Sequence, residues 1–142
     1  MLNNTAATVY NKAVDQENDE TKYHRTVLPA VHWEDGFCAA DKGKNHAENR
    51  SVFVSIDFSA CSGMEKQYLP AHQFARLPSS EQGKYWTLAI GDMLLKGSVA
   101  DDIPDKGIRQ FLANHPEVAT ITAVDTLDMG SDCMKHWEVT AR

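Results

Sequence analysis

The chain lacks most of the features that would assign a function at sight. No apolar run approaches the roughly 18 to 20 residues a membrane helix needs. The opening residues, MLNNTAATVYN, have no basic and then apolar stretch of a signal peptide, so the sequence reads as cytosolic with no membrane partner. Lys and Arg number 14 against 20 Asp and Glu, a formal net charge of -6. That balance excludes a protein held on nucleic acid by its overall field and leaves only weak, local phosphate contact open. Cys38, Cys61 and Cys133 are an odd number, far apart in sequence, so a disulfide framework is not expected and free, mostly buried thiols are. His24, His32, His46, His72, His115 and His136 have no CxxC partner, no HExxH motif and no zinc-finger spacing, so no metal is expected.

Catalytic signatures are scarce as well. No glycine-rich phosphate loop and no G-x-S-x-G elbow occur, so neither a nucleotide cofactor nor serine chemistry has support. The acidic pairs Asp19-Glu20, Glu34-Asp35 and Asp101-Asp102 fall at expected turns and element ends, where solvated carboxylates are ordinary. The expectation is a protein that is not an enzyme and carries no cofactor.

What is present is a balanced globular composition, 42% hydrophobic and 24% charged over 142 residues, enough for one domain spanning 1–142. Ala7 to Asn11 and Lys22 to Leu28 are β-favouring runs around a polar turn and read as a hairpin, with Ala30 to Asp35 continuing past Pro29 at an edge or bend. Val52, Val54, Ile56 and Phe58 alternate with period two, the clearest strand in the chain. Pro70 to Leu77 permits about two helical turns closed by Pro78. Tyr85 to Ile90 and Met93 to Val99 read as paired strands around Gly91-Asp92, and Pro104 to Asn114 as a second helix burying Ile108, Phe111 and Leu112. Val118 to Leu127 and Cys133 to Ala141 form a hairpin across residues 128–132, with Trp137 and Val139 facing inward and Lys135 at the edge. These expectations add up to a mainly β fold, an antiparallel barrel or sandwich of 7–8 short strands with two short helices and one long loop at 36–50.

That loop, GFCAADKGKNHAENR, has no periodicity and is long for a compact domain. It is mildly basic within an acidic protein. Lys42, Lys44, His46 and Arg50 are candidates for contact with a polyanion or an acidic neighbour, with Gly36 and Gly43 letting the loop swing. Trp33 and the terminal Arg142 are candidate interface residues, since tryptophan and arginine are enriched at binding hot spots. Trp86 and Trp137 lie inside apolar alternation and read as core.

Four segments carry a family resemblance: TVYN at 8–11, RTVLPAVHW at 25–33, YWTLAIGDMLLKG at 85–97 and the ending MKHWEVTAR. Together they resemble a family of small proteins from the structural gene modules of tailed bacteriophages and prophages of low-GC Gram-positive bacteria. The opening hairpin also resembles the start of phage head-closure, or stopper, proteins. The resemblance implies a small β-barrel in a homo-oligomeric ring at the virion neck, between portal and adaptor proteins on the head side and tail proteins on the other. It implies weak, non-specific contact with packaged DNA, and it makes 36–50 the candidate channel loop. The two helices depart from the smallest stopper barrels and leave a tail-terminator or tail-completion role open. A reading of another class is a small phage-encoded binding or inhibitory module acting on a host complex.

Overall fold

The computed structural model describes residues 2–15, 17, 19–37 and 50–142. Its framework is mainly β. Strands β1 (Thr5–Asp15), β2 (Glu20–Phe37), β3 (Arg50–Asp57), β6 (Met93–Lys96), β7 (Ala119–Leu127) and β8 (His136–Ala141) close a barrel in the order β1-β2-β3-β8-β7-β6. Each neighbouring pair is antiparallel. A parallel pair of two-residue strands, β4 (Gln67–Tyr68) and β5 (Tyr85–Trp86), stands apart from the barrel sheet. Helices α1 (Ala71–Phe74), α2 (Ser79–Gln82) and α3 (Ile108–Asn114) are short.

The expected hairpin is present and longer than its apolar runs, with β1 and β2 paired from Asp15↔Glu20 to Thr5↔Val31. Between Leu28 and Val31 the register slips by one residue against β1. Pro29 and Ala30 occupy that bulge, where a residue without an N–H costs no ladder bond. The slip reverses which parity faces inward, so Thr26 and Leu28 are buried before it and Val31 and Trp33 after it. It also frees β2 to leave β1 and pair with β3 from His32↔Ser55 to Phe37↔Arg50.

The interior is filled by alternating residues in register. Val52 lies opposite Ala141, Val54 opposite Val139 and Ile56 opposite Trp137, all buried. Ala7, Val9, Leu28, Leu94 and Ile121 belong to this core, as do Trp86 and Leu88. A second core lies outside the barrel, where Tyr10, Met93, Leu95, Ile103 and Phe111 pack β1 and β6 beneath α3. This explains the unbroken MLL run, because β6 is buried on both faces.

Several expectations require correction. Residues 85–90 do not pair with 93–99. Instead the Asn11 side chain takes the place of a partner strand, donating to the Thr87 carbonyl at 2.7 Å and accepting from the Thr87 N–H at 3.2 Å. The helix expected over 70–77 is the single turn α1, and Pro78 then opens α2. The second helix begins only at Ile108, because a turn closed by Gly107 N–H to the Pro104 carbonyl precedes it, and Leu112 is exposed. β8 starts at His136, so Cys133 lies in an exposed 3-10 turn and not in the strand. Cys61 is half-buried, which leaves neither described thiol in the core, and Cys38 lies outside the described residues.

Candidate functional site

Antiparallel closure gives the barrel two unlike ends. At one end β2 finishes at Phe37, β3 begins at Arg50 and β8 delivers Arg142. At the other β3 finishes at Asp57, β7 at Leu127, and β8 begins at His136.

The first end carries the residues singled out from the sequence. Lys42, Lys44 and His46 lie outside the described residues. Gly36 and Arg50 belong to β2 and β3, where Gly36 pairs with Ser51 and Arg50 with Phe37. Neither is part of a swinging loop. The Arg50 guanidinium is engaged, with Nε and Nη2 each 3.2 Å from Asp35 Oδ1, and Nη1 donating to the Glu117 carbonyl at 2.7 Å. The second Asp35 oxygen accepts from Trp33 Nε1 at 3.0 Å. Asp35 thus ties a core indole to the arginine that starts β3, and this clamp fixes where the β2–β3 connection leaves the barrel. Two readings change accordingly. Arg50 is a structural cation, and Trp33, 3% exposed, is a core residue and not a surface anchor. Glu34 and Asp35 lie inside β2 and not at its end. Arg142 is exposed, its backbone paired with Thr120.

Between the ends, a buried polar knot joins β1 to the segment leading into β6. The Asp92 carboxylate accepts from the Lys12 backbone N–H at 3.0 Å and from Asn11 Nδ2 at 2.8 Å. Burial pushes its pKa up despite those bonds, which act in the opposite direction. A cavity of about 290 Å³ beside it is lined by Asp92, Thr87, Gln82, Phe74 and alanines. Among the described residues the buried Thr87 hydroxyl has no hydrogen-bond partner. Sequence reading missed this knot, although a polar Asn11 closing an apolar run was its one available signal.

The second end is plugged by aromatic rings. Trp137 packs against Phe58 at 4.1 Å, Tyr68 at 4.5 Å and Trp86 at 5.4 Å between ring centroids. Over this plug opens a cavity of about 370 Å³, lined by both tryptophans with Phe58, Cys61, Met64 and Tyr68. Burial, with Asp57 adding to it, pushes the Cys61 thiol up to about 11, so it is protonated and unreactive at neutral pH. Lys66 reaches along the wall and donates to the Arg25 carbonyl at 2.6 Å and to Thr26 Oγ1 at 3.0 Å. Among the described residues no group of three or more His, Cys, Asp or Glu could hold a metal ion.

A family model described as a family of unknown function (DUF6751) matches residues 2–142. Neither a curated protein nor a solved structure matches the chain.

Proposed function

The chain belongs to DUF6751, a family of unknown function, and from that premise we propose that it is a non-enzymatic virion protein of a tailed phage, a head-closure ring subunit at the neck. The observation that carries the reading is a closed antiparallel barrel whose β2–β3 connection departs from a fixed base, the Trp33–Asp35–Arg50 clamp. That arrangement suits a ring of barrels presenting one connection each toward a shared axis. The sequence resemblance to stopper proteins points the same way. Ring closure would come from repeated heterologous contacts between copies. The net charge of -6 suits a DNA conduit, because a wall that bound phosphate strongly would hold the duplex instead of passing it.

Within this reading Lys42 and Lys44 make the weak DNA or neighbour contact, while Arg50 holds the base of the connection. The test separates the two roles. A phage carrying Lys42→Glu with Lys44→Glu should assemble a folded protein into heads that leak DNA. Unchanged plaque yield and DNA content in that double variant would remove the connection from the mechanism.

A further inference from the structure

The neck reading makes no use of the cavity of about 370 Å³ over the aromatic plug. Its floor is Trp86 and Trp137, 1% and 4% exposed, and the half-buried Phe58, Tyr68, Met64 and Cys61 pack against that core and supply the apolar wall. The volume lies at the lower end of the roughly 300–1,000 Å³ of small-molecule sites. It has room for a compact ligand. The four rings stand with neighbouring centroids 4.1–5.4 Å apart, and one more ring would continue that arrangement, with the sulfurs of Met64 and Cys61 favouring it further. A flexible alkyl chain gains neither contact.

The polar groups of the cavity say which substituent that ring carries. The Tyr68 phenol is hydrogen-bonded to the side chains of Trp137 and Thr126, and the Ser62 hydroxyl donates to the Ser59 carbonyl at 2.9 Å. Lys66 differs, because among the described residues it is the one charged group that lines the cavity. Its ammonium has three donors, and the two bonds it makes, to the Arg25 carbonyl at 2.6 Å and to Thr26 Oγ1 at 3.0 Å, go to uncharged oxygens. The charges that act on it are Arg25 and Asp102, which pair with each other at 2.7 Å. That pair is neutral in sum, so Lys66 leaves a local positive charge inside an acidic protein. Burial and then Arg25 pull its pKa down, and a bound anion would reverse that. Asp57, the carboxylate whose field reaches Cys61, does not line the cavity.

We propose that this barrel end binds a small aromatic carboxylate, its ring packed among Trp86, Trp137 and Tyr68 and its acid group accepting the remaining Lys66 N–H. An uncharged head group would leave the ammonium without a counter-charge, and a cation would be repelled by it. The site belongs to the single barrel and does not rest on the neck assignment.

The test uses the full chain at neutral pH and four probes, 1-naphthylacetate, 1-naphthylacetamide, 2-(1-naphthyl)ethylamine and octanoate, in equilibrium dialysis. Naphthylacetate should bind saturably, one molecule per chain, and about fivefold more tightly than its amide, the step expected of a partly exposed ion pair. The amine should bind more weakly still. Octanoate, which has the acid but no ring, should compete about fivefold less well than unlabelled naphthylacetate. At saturation naphthylacetate should move the Trp137 indole N–H resonance and leave that of Trp33, which donates to Asp35, in place. Lys66→Met, which keeps an unbranched apolar stem, should bring acid and amide within about twofold of each other at unchanged amide affinity, and Lys66→Arg should keep the preference. Equal binding of acid and amide to the unsubstituted protein would overturn the proposal without reliance on any variant. So would the absence of saturable binding, octanoate competing as well as naphthylacetate, a Trp137 resonance unmoved at saturation, or a full acid preference in Lys66→Met with native circular dichroism.

Discussion

At the residue scale, single side chains do work that the sequence pattern assigns to whole strands. Asn11 supplies both hydrogen bonds that Thr87 would receive from a neighbouring strand, and Asp35 connects Trp33 to Arg50. Replacing Arg50 by alanine removes charge-assisted bonds that are worth more than neutral ones. Because Asp35 is partly exposed, the cost should be about 1–2 kcal/mol, below the value for a buried pair. A lowered urea midpoint with an unchanged slope would check this. The thiols make a second prediction at this scale. At neutral pH iodoacetamide should modify exposed Cys133 while Cys61, half-buried and pushed up to about 11, reacts only after unfolding. Peptide mass mapping before and after denaturant reads out the difference.

At the element scale, the strands with clean alternation were legible and the segments held by side chains were not. β3 and β8 each bury one face, and Val52, Val54, Ile56, Trp137 and Val139 announce it with period two. The bend at Pro29 was legible, but the parity change across it was not, because the buried position 26 before it is a polar threonine. Residues 85–90 look like a strand by composition, yet their partners are the Asn11 side chain and β4, which no local pattern encodes. The same limit applies to the site. Lys42, Lys44 and His46 stand out by charge alone, whereas the role of Arg50 depends on Asp35 and on the Glu117 carbonyl, far away in sequence. Gly91 gives the element-scale prediction. Its φ of +96 and its N–H bond to the Ile121 carbonyl seat the turn that enters β6. An L-residue there is strained even though a Cβ would meet nothing within 4 Å, so Gly91→Ala should cost about 1–2 kcal/mol. Thermal denaturation, monitored by circular dichroism, checks it.

At the scale of the whole molecule, histidines of opposite tendency shape the response to acid. His32 is raised by its hydrogen bond to Glu34 and by the Leu2 carbonyl, and His136 by the Met134 carbonyl and Glu138. Their contribution is fully present below the ordinary histidine value and is lost as pH rises through the higher folded value. His24 is lowered, chiefly by burial and then by Lys66 and Lys22. Its contribution is present above the ordinary value and is lost as pH falls through the lower folded one. On moving from roughly pH 7.5 to roughly pH 5.5, His24→Gln should gain stability relative to the unsubstituted protein. The doubly substituted His32→Gln, His136→Gln protein should lose it. Denaturant titrations at the two pH values distinguish them.

The same scale holds the functional claim, that a closed barrel with a clamped β2–β3 connection is a subunit of a neck ring. The most direct measurement is electron microscopy of lysates from a phage lacking this gene, with particle proteins identified by mass spectrometry. The account predicts emptied or leaking heads beside finished, unattached tails, and the protein present in complete virions of the parent phage. Tails of abnormal length would assign it instead to tail termination. Normal infectious particles that never contain the protein would contradict the account and favour a module that acts on a host complex.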